Sequence, residues 1–209
     1  MKLKLPLCLL AIFLVTASTV PAVTIINEFT GGLTDDLSND PLNPTMVNLD
    51  VGTNSFFGQV TTSNGDTRDY FTFIIGAGQS LTGMFLISYV DGSSGGAGDR
   101  GYIMIDDGAM SVIPTNGTSS DFLGGSHLDT GIFPSPATNV LTTLANAPQG
   151  GVGFTAPLGP GTYTVNVQQT GQELSNYQLD LEVVPEPTSV ALLFGAAGIA
   201  GWYYRRRWS

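Results

Sequence analysis

The residues of this chain best suited to chemistry are two groups of carboxylates and amides in turn-forming stretches. The stretch "DDLSND" supplies Asp36, Asn39 and Asp40, and "GDTRD" supplies Asp66 and Asp69. Calcium takes six to eight oxygen ligands from carboxylates, amides and carbonyls. We therefore predict these five residues as candidate calcium ligands and expect calcium to raise the melting temperature. The alternative is that they are solvated residues that initiate Asx turns.

Residues suited to catalysis are sparse. The single histidine, His127, follows Ser126, but adjacent side chains of an extended chain point to opposite faces. Asp129 could share the side of the histidine. The pairs Asp35-Asp36 and Asp106-Asp107 could in principle hydrolyse glycosides, but the sequence does not fix the separation of their carboxylates. One histidine without a remaining cysteine excludes a zinc motif. We predict that the protein is not an enzyme, with a secreted hydrolase as the least favoured alternative.

The charge of the chain is concentrated between its two ends. All 17 acidic residues lie between positions 23 and 187, together with only two basic residues, Arg68 and Arg100, which gives this part a net charge of −15. Such a surface repels nucleic acid and anionic lipid. We therefore expect no nucleic-acid partner.

The elements that must position these residues are short strands. Apolar and β-branched runs bounded by Gly, Asn and Asp indicate strands, and clean alternation indicates a half-buried strand. In residues 70–75, Phe71, Phe73 and Ile75 form one fully apolar face. The predicted strands are 23–28, 47–52, 55–60, 68–75, 80–90, 102–106, 109–113, 162–169 and 176–184, with one short helix at 139–147. Short strands with frequent turns and no long amphipathic helix predict an all-β fold, an antiparallel β-sandwich that is jelly-roll-like rather than immunoglobulin-like.

The first 22 residues have the pattern of a secretory signal peptide. Two lysines precede an apolar run from Leu5 to Val15, and small and polar residues follow. Val20 and Ala22 occupy the positions that a signal peptidase prefers, so we predict cleavage after Ala22. Cleavage after Ala17 is the alternative.

The last 21 residues predict a single transmembrane helix with a cluster of arginines at its cytoplasmic end. A helix over 189–204 would be about 24 Å long, slightly short of the hydrocarbon core of a bilayer. The aromatic residues at 202–204 suit the headgroup level, and Arg205, Arg206 and Arg207 should stay in the cytoplasm. Before this helix, Pro185, Glu186 and Pro187 should be extended and exposed, because each proline disfavours helix in the residue before it.

The whole tail, "VPEPTSVALLFGAAGIAGWYYRRRW", resembles the sorting signal of PEP-CTERM proteins. Its three parts, the Pro-Glu-Pro, the apolar helix and the arginine cluster, are present in order. The resemblance implies an exosortase as processing partner, cleavage near Pro-Glu-Pro and delivery to the outer surface of a Gram-negative bacterium that makes exopolysaccharide. The chain then divides into a signal peptide (1–22), a β-sandwich domain (23–184) and the sorting signal (185–209).

A second resemblance covers residues 35–89. The stretches "GDTRDYFTF" and "GAGQSL" are similar to the bacterial pre-peptidase C-terminal domain. That family consists of small β-sandwiches, and it implies calcium binding through acidic residues and a role in secretion, adhesion or substrate binding. No peptidase accompanies this copy. We therefore predict a non-enzymatic structural or adhesive module of the cell surface or matrix. The alternative is a carbohydrate-binding module for exopolysaccharide, with Phe56, Tyr102 or Phe133 lining a groove.

Overall fold

The computed structural model describes residues 23–30, 36–61, 65–91, 101–111, 122–128, 138–169 and 174–186. These residues form ten β-strands, one short α-helix (α1) and a single turn of 3-10 helix at Glu28–Thr30. The strands are β1 (Val23–Asn27), β2 (Thr45–Met46), β3 (Gly52–Val60), β4 (Arg68–Ile75), β5 (Gln79–Asp91), β6 (Gly101–Asp107), β7 (Gly124–Leu128), β8 (Thr138–Asn139), β9 (Gly161–Gln169) and β10 (Ser175–Pro185), and α1 is Val140–Ala145.

The strands form two five-stranded sheets. The first sheet has the order β1-β3-β10-β5-β8, and the second has the order β2-β4-β9-β6-β7. Pairing is antiparallel except at one edge of each sheet, where β1 pairs with β3 and β2 pairs with β4 in parallel. Parallel neighbours need a crossover connection. Here the chain makes it by crossing between sheets, because β2 intervenes between β1 and β3, and β3 intervenes between β2 and β4.

The core is built from alternate residues of the central strands. On β4 the inward residues are Phe71, Phe73 and Ile75, each at most 2% exposed. Those of β10 are Tyr177, Leu179, Leu181 and Val183, which are equally buried. Phe56 of β3 stacks on Phe71 of β4 with ring centroids 4.5 Å apart, so the two sheets meet through aromatic contact.

The outer face of the second sheet is also partly covered. Tyr70 and Thr72 of β4 are each 1% exposed, although they point away from the core. Ser38 bridges to Tyr70, and Val47 donates its N–H to the carbonyl of Thr72. Thr164 of β9 shares a 2.6 Å hydrogen bond with the Thr72 hydroxyl. The outer face of β4 is therefore shielded from solvent where the 36–50 segment folds over the sheet.

The all-β sandwich predicted from the sequence is confirmed, but not its purely antiparallel pairing. The predicted helix is present as α1, and Asn139 caps it by accepting a hydrogen bond from the N–H of Leu141. Residues 47–51 are not a strand, nor are 109–111. The strand β7 was not predicted, because its glycines and polar residues lack apolar alternation.

The predicted signal peptide, with Ala22, and the predicted transmembrane helix lie outside the described residues. Among the residues that are described, no helix is long and apolar enough to cross a membrane.

Candidate metal centre

Glu28 lies where the chain leaves the edge strand β1 and turns back. Parallel pairing places the end of β1 beside the middle of β3, with Asn27 opposite Phe57. The Glu28 carboxylate accepts the N–H of Leu37 at 2.8 Å through Oε1 and the N–H of Gln59 at 2.5 Å through Oε2. Glu28 thus joins the start of the 36–50 segment to β3.

Asp69 is the first inward-facing residue of β4, in line with the core residues Phe71 and Phe73. Its side chain is fully buried. The Tyr177 hydroxyl on β10, in the opposite sheet, donates a 2.6 Å hydrogen bond to Oδ2 of Asp69. The other oxygen, Oδ1, is buried and has no hydrogen-bond partner in the described part of the chain. A buried acceptor without a partner is costly, so Oδ1 requires a proton, a cation or a bound water.

Gly58 explains how Tyr177 reaches Asp69. The two residues Tyr177 and Gly58 are register partners on β10 and β3. A Cβ at Gly58 would overlap the Tyr177 ring. The missing side chain of Gly58 therefore leaves the space through which the tyrosine ring crosses the core.

Asp36 completes a group of three carboxylates, Glu28, Asp36 and Asp69, which we call the acidic cluster. Each residue offers an oxygen atom, and these oxygens all lie within 4.8 Å of one another. Oxygens that bind one calcium ion at about 2.4 Å are at most about 4.8 Å apart. The group contains only hard oxygen donors, which suit calcium or magnesium rather than zinc or copper. The residues therefore fit a calcium ion.

The electrostatics of the acidic cluster favour a cation. Burial raises the pKa of Glu28 to about 7. Burial, followed by the charge of Glu28, raises the pKa of Asp69 well above its usual range, although the hydrogen bond from Tyr177 opposes this shift. These raised pKa values mean that burial disfavours the ionised carboxylates, which are stabilised by taking up either a proton or a cation. A divalent cation would supply positive charge and return both groups to their ionised form.

The other predicted ligands lie around the acidic cluster in two different ways. Asp66 is coupled to it, because burial and then the charge of Asp36 raise the pKa of Asp66, against the hydrogen bond from Asn39. Asn39 donates to Oδ1 of Asp66 at 2.9 Å and accepts the N–H of Arg68 at 3.1 Å. Asp40 is exposed and caps its own turn by accepting from Leu42 and Asn43.

Of the predicted ligands, the structure therefore brings Asp36 and Asp69 together, with Asp66 and Asn39 nearby. Asp40 uses both carboxylate oxygens within its turn, as in the Asx-turn alternative. Sequence reasoning missed Glu28, which was assigned to the end of a strand. Only the parallel pairing of β1 and β3 reveals its position. The burial of Asp69 could have been found, because it shares the inward register of Phe71 and Phe73.

The residues considered for catalysis and carbohydrate binding are differently placed. His127 lies edge-on to Tyr102, with ring centroids 5.5 Å apart, and Asp129 is outside the described residues. Asp106 is buried and Asp107 exposed, so the two carboxylates point to opposite faces of β6. Phe56 is fully buried in the core, which makes its predicted role in a surface groove wrong. Phe133 is outside the described residues.

The start of the predicted sorting signal is continuous with the fold. Pro185 ends β10 and is therefore extended, and both Pro185 and Glu186 are exposed. Pro187, Arg205, Arg206 and Arg207 lie outside the described residues.

Comparison with known families identifies one match. Residues 183–207 match the PEP-CTERM protein-sorting motif. This match supports a PEP-CTERM protein, that is, an exported protein sorted to the cell surface through a membrane-anchored precursor, with an exosortase as processing partner. No curated protein and no solved structure matches the chain.

Proposed function

We propose that this chain is a non-enzymatic structural or adhesive protein of the cell surface, whose β-sandwich binds calcium at the acidic cluster. The observation that carries the sorting part is the match of residues 183–207, at the C-terminal end of the sandwich and beyond it, to the PEP-CTERM motif. The observation that carries the calcium part is the fully buried Asp69, whose Oδ1 lacks a partner beside two further carboxylates.

The role of calcium would be to close the sandwich. Glu28 follows β1, Asp69 lies on β4, and Asp36 precedes the buried Leu37. An ion bound by all three would tie the edge of one sheet, the adjoining segment and the other sheet to a single point. It would also remove the repulsion among three carboxylates, which have no lysine near them because residues 23–187 contain none.

A similarity to the pre-peptidase C-terminal domain supports this proposal from the sequence side. The "GDTRDYF" stretch of that resemblance contains Asp66 and Asp69. In this chain the same stretch contributes the buried ligand of the acidic cluster. An adhesive or matrix-binding role for the module follows from that resemblance and remains a proposal.

The sorting part is tested by fractionating the native host that expresses either the full chain or a chain that ends at Glu186. We expect the full chain at the outer surface and the truncated chain in the periplasm or medium. Equal amounts of both chains at the surface would refute sorting by the tail.

The adhesive part is tested with the purified sandwich and matrix polysaccharide from the same host. A structural module should not be retained on the polysaccharide. A carbohydrate-binding module should be retained, and free polysaccharide should compete with this binding. The calcium part is tested separately by melting, as developed in the Discussion.

A further inference from the structure

The sorting motif begins inside the folded sandwich. The motif starts at residue 183, whereas β10 continues to Pro185. Three residues of the motif, Val183, Val184 and Pro185, are therefore part of a strand. That strand is central in its sheet, between β3 and β5.

These motif residues are held by specific pairing. Val183 is 1% exposed and pairs with Gly52 on β3 and Leu81 on β5. Val184 pairs with Ser80, and Pro185 pairs with Gln79. Beyond the strand, the N–H of Glu186 donates a 2.8 Å hydrogen bond to the carbonyl of Gly78.

The turn that receives Glu186 is itself well defined. Gly78 has a φ of +75°, which a glycine adopts without strain. The N–H of Gln79 donates to the carbonyl of Gly76 at 3.1 Å, and the Gln79 side chain accepts the N–H of Gly76 at 3.2 Å. On the other edge of β5, Leu81 and Leu158 exchange two backbone hydrogen bonds. The start of β5, which pairs with the motif, is thus held by backbone pairing along both of its edges.

A peptidase binds its substrate as an extended chain whose backbone is free to pair with the enzyme. The backbone of residues 183–185 is already paired with β5, Glu186 is bonded to Gly78 in the preceding turn, and freeing this segment would expose the buried Val183. By contrast, the side chains of Pro185 and Glu186 are exposed. They can be contacted only as part of the folded surface.

We propose that the folded sandwich limits where the sorting peptidase can cut: the enzyme meets Pro185 and Glu186 as a surface beside the 76–79 turn and cleaves no earlier than the bond after Glu186, without detaching β10. The inference rests on the proposed sorting by an exosortase. It specifies which end of the sandwich faces the enzyme, and it excludes cleavage at any bond before residue 186. The mature protein would then keep its last strand intact.

The first test is the C-terminus of the mature protein, isolated from the native host that expresses the full chain and determined by mass spectrometry. We expect a chain that ends at Glu186 or later. A chain that ends at Pro185 or earlier would overturn the proposal.

The second test locks the strand. The double variant Ser80→Cys with Val184→Cys joins a register pair by a disulfide, which can form because the chain is exported. The single variants Ser80→Cys and Val184→Cys are matched controls, and thiol titration reports the locked fraction. We expect the locked chain to be processed at the same bond, with a rate within about twofold of the controls. A tenfold or greater loss of processing in the locked chain alone would show that β10 must detach, and the proposal would be wrong.

If no variant is processed and the native chain is not processed either, the sorting function fails and this inference fails with it.

Discussion

The sharpest prediction concerns Asp69→Asn, which should have opposite effects with and without calcium. In a chelator at pH 8, three carboxylates with oxygens within 4.8 Å of one another repel. At an effective dielectric constant of about 20, each charged pair at that distance costs about 3 kcal/mol. Asp69→Asn removes this repulsion, or the cost of taking up a proton at pH 8 that would neutralise Asp69, while the amide oxygen still accepts from Tyr177. We expect the variant without calcium to be more stable than the native protein by about 2 kcal/mol.

With calcium the order should reverse. Extracellular calcium modules bind with dissociation constants of about 0.1 to 1 mM. At a hundredfold excess over the dissociation constant, binding stabilises the folded state by about 2.7 kcal/mol. For a domain of this size that free energy corresponds to a melting temperature raised by about 5 to 10 °C. Asp69→Asn should lose this rise, because it removes a ligand and one negative charge.

The assay is thermal unfolding followed by circular dichroism, in excess chelator and in about 10 mM calcium, with sodium chloride at matched ionic strength. Asp180→Asn is the matched control, because it removes one carboxylate charge from β10, where the Asp180 side chain accepts a hydrogen bond from Gln178. The control should keep the full calcium response. An equal melting temperature of the native protein in chelator and calcium would refute the metal centre. A calcium response that survives in Asp69→Asn would refute the role of that residue.

Three further predictions follow from the same contacts. Tyr177→Phe leaves the buried Asp69 without its remaining donor, so the free energy of unfolding in chelator should fall by about 2 kcal/mol, measured by urea titration; an unchanged value would contradict the 2.6 Å hydrogen bond. Gly58→Ala places a methyl group in the space of the Tyr177 ring, so the free energy of unfolding should fall by about 3 kcal/mol and the calcium response should be lost. The control Gly65→Ala, at a glycine with open space around it, should lower the free energy of unfolding by only about 1 kcal/mol. The pKa of Glu28 rises from 4.5 to about 7 on folding. In chelator, the contribution of Glu28 to the free energy of unfolding is therefore fully present below about pH 4.5 and falls by about 3 kcal/mol as the pH rises to 7. Glu28→Gln should flatten that pH dependence in urea titrations between pH 4.5 and 8, and a native profile that rises over this interval would disprove the shift.

The central strands could be predicted because their patterning is local. In β10 apolar residues alternate with polar ones from Tyr177 to Val183, and in β4 every second residue from Phe71 to Ile75 is apolar, so the inward face of each strand can be predicted from a short stretch of sequence. The limits of the prediction appear at the edges. The two-residue strands β2 and β8 are too short for any periodicity, and β7 owes its place to pairing with β6.

The acidic cluster could be predicted only in part, for a related reason. Asp36 and Asp66 lie in acidic, glycine-containing stretches and Asp69 lies just after one of them, at the start of β4, so local composition indicates all three as candidate calcium ligands. Glu28 joins them through a parallel strand pairing between residues about 30 positions apart, and no local pattern encodes that pairing. The tyrosine that holds Asp69 is still more remote in sequence, since it lies 108 residues further along the chain.

The position of β10 has a consequence for the order in which this protein can mature. The last strand of the sandwich occupies the middle of its sheet, so β3 and β5 have a gap between them until it arrives. A chain that is exported from its N-terminus delivers that strand last of the sandwich, just before the predicted membrane-spanning segment. Such long-range pairing is slow compared with local structure. Until the eleven residues of β10 emerge, the facing edges of β3 and β5 remain unpaired. Completion of the fold therefore coincides with arrival of the sorting signal.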